Sequence, residues 1–439
     1  MKFRTSLHLV LIVLGMAGAT RAQSGSGAPP LLPPLYQESG VQEDLVAPVD
    51  SVISLSSALQ LALAQNPQVR AARAQIAAAQ GRLQQSQYRP NPELSTEIED
   101  FGRKNESGPA QTTIGVEQPF ELFGKRGARR AVAEAELSAE QYAAQLSLLD
   151  LYQSVASDFI TVLTAQENVA LAKQRLELAR KIEEAVRVKV SDGAVPKAEL
   201  LRAQSATKLG EIDLAASEAM ATQARLALAA LWGSGDANFR ADGSLDEWLA
   251  NAPVGTAKLS IDDNPVFAAL QAQIRAREAG IKLSKASGKP DLNLGAGYRR
   301  LHDEGSNSFL VWASVPLPLF NRNKGGVAEA TARLTQAEAE LAATRQRLDG
   351  ELRQLLVGLQ TQRELIVMLR EQVIPPAQQA MEEIDLAYRL GSQPYINVLD
   401  AQRTLSDLQG QLIDALVAGA NAAIGIEQLT GHRLNPVRR

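Results

Sequence analysis

The sequence of 439 residues repeats itself once, at an offset of about 198 residues. Asn66-Pro67 recurs as Asn264-Pro265, and the Pro-Glu-Leu run at 92–94 recurs as Pro-Asp-Leu at 290–292. The same offset relates Gly193, Pro196, Gln204 and Gly233 to Gly391, Pro394, Gln402 and Gly431. Because chance similarity does not keep one offset over so much sequence, we interpret residues 54–233 and 260–431 as two copies of one unit.

The segments outside the two copies are short. Residues 1–22 combine basic residues with an apolar run of about a dozen residues, less than the roughly 20 of a spanning helix, and predict a cleaved secretory signal peptide. Prolines mark 23–53 as an extended N-terminal segment. Residues 234–259 are predicted to link the two copies, and 432–439 to form a C-terminal tail.

The composition excludes several classes of site. The chain has no cysteine, so we expect no disulfide, no zinc-thiolate site and no lipidated N-terminal cysteine, and therefore not a lipoprotein. A formal net charge of −4 gives no electrostatic reason to expect a nucleic-acid partner. His302 and His432 follow the predicted signal peptide without metal-binding spacing. With no phosphate-binding glycine loop or nucleophile arrangement, we expect no catalytic residue, metal site, cofactor or enzymatic activity.

Each copy predicts two columns of helix. Residues 124–191 would form a helix of about 100 Å, and shorter helices at 66–88 and 195–231, stacked end to end, would nearly match it. In the second copy apolar residues recur every seven positions in two series. The first is Leu334, Leu341, Leu348, Leu355 and Leu369, interrupted only by Gln362, and the second is Leu352, Leu359, Ile366 and Val373. Any long coiled coil would show these heptads. Pro375-Pro376 lies within this helix, where we expect it to bend the rod.

Two segments of period two separate the helices of each copy. They span 92–101 and 111–120 in the first copy, and 290–300 and 307–318 in the second. Each is about ten residues long, which matches the 9 to 11 residues of a tilted transmembrane strand. Soluble hairpins that cap helical rods are the alternative interpretation.

If these strands cross a membrane, one chain cannot close a barrel. Open sheet edges do not face lipid, and outer-membrane barrels usually have at least eight strands, whereas one chain supplies four. Two copies of the chain would give eight strands and three would give twelve. An eight-stranded barrel is filled by its own side chains, so a conduit favours the larger number.

Three runs of the sequence resemble the TolC family of outer-membrane efflux proteins, and within it the cobalt-zinc-cadmium (heavy-metal RND) type of outer-membrane factor. They are YRPNPEL at 88–94, EQPFELFGKR at 117–126 and PLPLFNRN at 316–323, and the resemblance extends over residues 54–431. It implies a mainly α protein with a small membrane β-barrel, in which a homotrimer forms a twelve-strand barrel continued by a twelve-helix tunnel in the periplasm. The implied partners are outer-membrane lipid, a periplasmic adaptor (membrane fusion) protein and, through it, an inner-membrane RND pump.

The resemblance also assigns roles to the turns between paired helices. These turns would form the periplasmic mouth, where an adaptor hairpin docks on Gly193, Ala194 and Val195 of the first turn and Leu390, Gly391 and Ser392 of the second. A plain helix-turn-helix would explain the glycines and prolines equally well.

A gate is implied just inside the mouth. The family pattern has two acids three residues apart, whereas this chain has Asn397 and Asp400, so a trimer would carry one aspartate ring and select cations less strongly. Tyr388 and Glu199 match a latch that closes the mouth, which we expect to be a charge-assisted hydrogen bond. Gln393 replaces the latch arginine of the family, which predicts a gate held less firmly.

The predicted function is therefore a passive outer-membrane export duct of a tripartite efflux system, with heavy-metal cations favoured as cargo. An outer-membrane duct for drugs or other organic solutes, or for type I secretion, is the alternative within the same class. A secreted coiled-coil adaptor without a pore is the alternative from another class. A basic cluster at 125–130 is interpreted as a solvated helix start, with a contact to anionic groups as the second interpretation.

Overall fold

The computed structural model of the chain describes residues 52–99, 110–251, 259–302 and 305–430. The predicted signal peptide, nearly all of the extended N-terminal segment and the whole C-terminal tail lie outside these described residues, as does most of the first strand-to-strand loop.

The same order of elements occurs in both halves. The first half contains β1 (Val52–Ile53), α1 (Leu55–Gln65), α2 (Pro67–Ser86), β2 (Glu93–Glu99), β3 (Gln111–Phe120), α3 (Lys125–Ser191) and α4 (Lys197–Ala230). Between the halves lie β4 (Arg240–Ala241) and α5 (Leu245–Asn251). The second half contains α6 (Pro265–Ser287), β5 (Leu292–Leu301), β6 (Ser306–Ser314), α7 (Lys324–Met368), a π turn (Leu369–Val373), α8 (Ile374–Arg389) and α9 (Tyr395–Thr430).

Some element ends differ from the sequence-based expectation. The strand expected over 307–318 ends at Ser314, because Pro316 and Pro318 have no N–H with which to continue a ladder. The linker expected over 234–259 is partly structured, since β4 pairs in parallel with β1 and α5 follows it. The helix expected to begin at Asn66 is preceded by α1, which ends one residue before it.

The repeated Asn-Pro pair joins the shorter helices end to end. Asn66 caps α2 by accepting the Gln68 N–H at 2.7 Å, and its amide donates to the carbonyl of Leu231 at the end of α4, at 2.9 Å. Asn264 caps α6 in the same way and donates to the carbonyl of Leu429, in α9, at 3.0 Å. Both asparagines are buried. Each Asn therefore satisfies the end of one helix and the start of the next, which produces a nearly continuous column.

The helices form one layer whose order is set by their contacts. On the strand side the order is α2, α3, α6 and α7, and on the other side it is α4, α3, α9 and α8. The largest hydrophobic core lies in the middle of the layer, where the strand side meets the other side, and includes Phe159, Leu228, Trp232, Trp248 and Ile426. Among the described residues, α3 and α9 are long and apolar enough to cross a membrane by composition alone, a test that buried core helices also pass.

The four long strands form one antiparallel sheet in the order β2, β3, β5, β6. Trp312 of β6 lies across its neighbours, and its indole N–H donates to a carboxylate oxygen of Glu117 on β3 at 2.7 Å. The indole passes over Gly295, where an added Cβ would lie 2.1 Å from the ring. Because glycine has no side chain, one face of the sheet accommodates a large ring lying flat at this point.

The π turn marks a one-residue shift in the heptad pattern of the second half. Buried Leu352, Leu359 and Ile366 are spaced by seven residues, and so are buried Ile374, Met381 and Tyr388. The step from Ile366 to Ile374 is one residue longer, and the sequence-based assignment of Val373 to this stripe is therefore wrong, since Val373 is only half-buried.

The helix absorbs the extra residue by widening. The Ile374 N–H bonds to the carbonyl of Leu369, five residues earlier. Pro375 and Pro376 follow at once, and they have no N–H for the carbonyls four residues before them, so a wider turn also relieves their steric conflict with the helix. The helix continues through the prolines instead of ending there.

Deleting one residue of the π turn should be better tolerated than deleting one residue of the regular helix. Deletion of Gln372 would restore a seven-residue step between Ile366 and Ile374, whereas deletion of Gln360 would shorten the step between Leu359 and Ile366 to six. We expect the Gln360 deletion to lower the melting temperature more, measured by circular dichroism at 222 nm. An equal or larger loss for the Gln372 deletion would contradict this account of the π turn.

Candidate functional site

The two helical turns expected to form a mouth lie together at the end of the layer away from the sheet. The ends of α3, α4, α8 and α9 enclose a second hydrophobic cluster, here called the tip cluster: Ile182, Val186, Ala203, Met381, Tyr388, Tyr395 and Val398. Because this cluster contains residues of both halves, the two turns are packed against each other within one chain.

The two turns have the same backbone structure. In the first, the Gly193 N–H bonds to the carbonyl of Val190 at 3.1 Å and the Ala194 N–H to that of Lys189 at 2.8 Å. In the second, the Gly391 N–H bonds to the carbonyl of Tyr388 at 3.0 Å and the Ser392 N–H to that of Ala387 at 2.9 Å. These are Schellman motifs, which require a left-handed residue after the helix. The two glycines supply it, with φ of 72° and 82°.

The six residues expected to dock a partner lie in these turns. Gly193, Ala194, Leu390, Gly391 and Ser392 are exposed, and Val195 is half-buried. Leu390 is 76% exposed, which is unusual for a large apolar side chain at a turn.

The structure brings the expected latch residues close together. The Tyr388 side chain is buried, and its hydroxyl lies 3.5 Å from a carboxylate oxygen of Glu199 at the start of α4. This distance is longer than the 2.5–3.0 Å of ordinary O–H···O bonds, so the contact is weak in this conformation. The Tyr395 ring packs beside Tyr388, with 5.7 Å between the ring centroids.

Burial and negative charge both act on the two tyrosines. Burial, followed by the nearby Glu199 carboxylate, raises the pKa of Tyr388 to about 12. Burial also raises the pKa of Tyr395 to about 12, and Glu199 and Glu183 add to this. Both phenols are therefore neutral at physiological pH, and Tyr388 can donate a hydrogen bond.

The expected gate residues on α9 point away from the tip cluster. Asp400 and Asn397 are exposed, and the Asn397 amide donates to the side-chain oxygen of Gln393 at 2.6 Å. Gln393 thus contacts its own turn, and no bond from it to the first turn is found among the described residues.

Sequence analysis missed Lys189, in the last turn of α3. Its ammonium donates to the carbonyl oxygen of Tyr388 and lies 4.3 Å from the centroid of the Tyr388 ring. A lysine near the end of a helix is a common surface feature, and nothing in its spacing indicates a contact about 200 positions away in sequence.

The basic cluster at the strand-to-helix junction is largely paired. Lys125 contacts Asp291 at 2.8 Å, Arg129 forms a two-contact pair with Glu121, and Arg130 contacts Glu134 at 2.7 Å. The first two pairs fasten the start of α3 to residues next to β5 and β3, whereas Arg130–Glu134 is an exposed pair within α3. Arg126 is exposed, and no ion pair is found for it among the described residues.

No group of three or more His, Asp or Glu residues that could hold a metal ion is found in the described parts of the chain.

The family model described as outer membrane efflux protein matches residues 58–234 and 257–432, once in each half. The chain belongs to the outer membrane efflux protein family. It is 30% identical over 380 residues to the cobalt-zinc-cadmium resistance protein CzcC of Cupriavidus metallidurans, covering 86% of this chain and 90% of that protein. It is 29% identical over 323 residues to the nickel-cobalt-cadmium resistance protein NccC of Alcaligenes xylosoxydans, covering 71% and 70%.

The fold also matches that of solved protein structures. The crystal structure of CusC, described in connection with transmembrane channel formation, superposes with a TM-score of 0.73 at 19% identity and covers 93% of this chain and 99% of that one. As in the rest of the outer membrane efflux family, the protein acts as a transport channel component.

The raised pKa of Tyr388 can be measured directly. In a rapid pH jump followed at 295 nm, the difference between the wild type and Tyr388→Phe should show one phenol ionising near pH 12, about two units above the ordinary tyrosine pKa. Because the pKa is higher in the folded state, the neutral phenol contributes to the free energy of unfolding below about pH 10, and this contribution is lost as the pH rises through about 12. As a control, the midpoint of this difference titration should fall to about pH 10 when both proteins are unfolded in denaturant. A midpoint of about pH 10 in the folded proteins would show that the Tyr388 phenol is not buried.

Proposed function

We propose that the protein is the outer-membrane duct of a tripartite RND-type efflux system that exports divalent heavy-metal cations. The cargo is inferred from the similarity to two proteins whose names record resistance to cobalt, zinc and cadmium and to nickel, cobalt and cadmium. In each case the similarity extends over most of this chain and most of the relative. The duct is proposed to be passive, with the ion selected by the pump.

The duct is proposed to be a homotrimer with a twelve-strand barrel and a twelve-helix tunnel. The described sheet has an edge at β2 and another at β6, and the helix layer ends on the same two sides, at α2 and α4 and at α7 and α8. Both helical edges expose apolar residues, Leu209, Ile212 and Met220 on α4, and Val357, Met368 and Leu386 on α7 and α8. A second copy would cover these faces and pair the strand edges.

The sheet has one apolar face that fits lipid. Tyr298 pairs with Phe309 and Ala296 with Val311, so these side chains share a face. Phe309 is 88% and Val311 85% exposed in the single chain, and Ile114 and Val116 of β3 lie on the same face. The opposite face carries Glu97, Glu117 and Arg299, of which Glu97 and Arg299 are both paired with Thr113, and these charges suit a water-filled lumen.

The paired turns are proposed to form the periplasmic mouth. Tyr388 and Glu199 would hold it closed, while Asp400, exposed on α9, would give one ring of three negative charges, with Asn397 and Gln393 beside it. The exposed residues of the two turns would dock a periplasmic adaptor, and through it an inner-membrane pump. Residues 1–22 are proposed to direct export as a cleaved signal peptide, and the protein is proposed not to be a lipoprotein, since its sequence has no cysteine.

Loss of the gene should sensitise its host to metal ions. We expect a deletion strain to show a several-fold lower minimal inhibitory concentration for cadmium, zinc or cobalt, restored by the wild-type gene but not by a version without the strands 111–120 and 292–301. Sensitivity to organic toxicants with unchanged metal tolerance would instead support the organic-solute duct.

Weakening the latch should open the channel. In planar bilayers, Tyr388→Phe combined with Glu199→Ala should raise single-channel conductance or the open fraction, because the hydroxyl–carboxylate contact is removed. Tyr395→Phe is the matched control, since it removes a hydroxyl from the neighbouring buried ring, for which no hydrogen bond is found in the described structure. Identical conductance in all three proteins would rule out the latch.

A further inference from the structure

A single cation bridges the two turns of one chain, beside the apolar contacts of the tip cluster. Lys189 belongs to the first turn, where its own carbonyl accepts the Ala194 N–H, but its side chain reaches the second turn and donates to the Tyr388 carbonyl. That carbonyl also accepts the Gly391 N–H of the second Schellman motif. One lysine therefore connects the hydrogen bonding of both turns.

The position of the ammonium is favourable on electrostatic grounds. The last carbonyls of a helix lack intrahelical partners and carry the negative end of the helix dipole, and the Tyr388 carbonyl lies in the last turn of α8. The face of the Tyr388 ring adds a cation–π contact at 4.3 Å. Lys189 is half-buried, so water screens these interactions less than on an open surface.

Neighbouring basic side chains are engaged elsewhere. Arg187 contacts Glu183 at 2.6 Å on its own helix, and Arg389 contacts Asp385 at 2.8 Å on α8. No carboxylate lies within ion-pair distance of Lys189 in the described residues, so its charge is directed at the carbonyl and the ring. Glu199 lies near the hydroxyl of the same tyrosine, at 3.5 Å.

We propose that Lys189 is the positioning residue of the mouth: it fastens the second turn to the first within each chain and holds Tyr388 beside Glu199. This inference rests on the proposed function for its effect on gating, but the contact itself does not. It differs from the Tyr388–Glu199 latch because it acts on the backbone of the α8 end, and Tyr388→Phe would leave it intact.

Three variants test the proposal. Lys189→Met keeps the length and apolar stem of the side chain and removes the charge, while Lys189→Arg keeps a cation that can donate to the carbonyl and stack on the ring. Lys181→Met is the matched control, because Lys181 is on the same helix, is exposed and contacts only Glu177, at 2.7 Å, among the described residues.

Hydrogen exchange measures the contact without any channel assay. In the detergent-extracted full chain, Lys189→Met should speed exchange about tenfold at the amides of residues 390–392, which bond within the second turn. Lys189→Arg and Lys181→Met should match the wild type. Unchanged exchange in Lys189→Met would overturn the proposal, whatever the conductance.

Planar-bilayer recording then measures the effect on gating. Lys189→Met should raise the open fraction about tenfold, and Lys189→Arg should restore it. Faster exchange with an unchanged open fraction would show that Lys189 holds the turn without positioning the gate, and would overturn that part of the proposal. If the wild-type protein forms no channel, the proposed function fails, and the exchange result still decides whether Lys189 fastens the turns.

Discussion

The sheet edges are the constraint on which the rest of the architecture depends. In the described chain β2 and β6 are each paired on one side only, and their outer N–H and C=O groups have no strand partner. In lipid such an edge is prohibitively costly, and in water it invites uncontrolled pairing. The helix layer ends on the same two sides as the sheet. A neighbouring chain at each edge would therefore complete both the sheet and the helix layer, and would link the proposed membrane segment and the proposed tunnel in one assembly step.

The tip is held by fewer and weaker contacts than the middle of the layer. Around Trp232 and Trp248 a large apolar core joins α1, α3, α5 and α9, whereas the tip cluster contains seven buried residues. Among the described residues, the polar contacts found between the two turns are a long Tyr388–Glu199 approach and the single ammonium of Lys189. Elements that must move are drawn from the less stable parts of a protein. A rigid middle and a lightly held end are consistent with a gate at the tip.

Much of this fold could be read from the sequence, because duplication, period-two strands and turn glycines are local or periodic signals. The missed features have specific physical causes. The heptad pattern wrongly placed Val373 in the buried stripe, because a repeat of seven does not reveal a one-residue insertion that a π turn accommodates. Trp312 could be placed on a strand but not across Gly295 to Glu117, because this depends on register. Lys189 was missed because its partner is a backbone carbonyl, which leaves no complementary residue in the sequence.

The two Schellman turns have the same hydrogen bonds and similar glycine φ angles, but the residues that follow them differ: Glu199 stands three residues after Pro196, and Asn397 three residues after Pro394. In the proposed trimer, the main chain around the rim would approximate six-fold symmetry while its charges would remain three-fold. A ligand that contacts only the backbone would find six similar positions around the rim. A ligand that binds the Glu199 carboxylate would find it at only three of them, alternating with positions that carry Asn397.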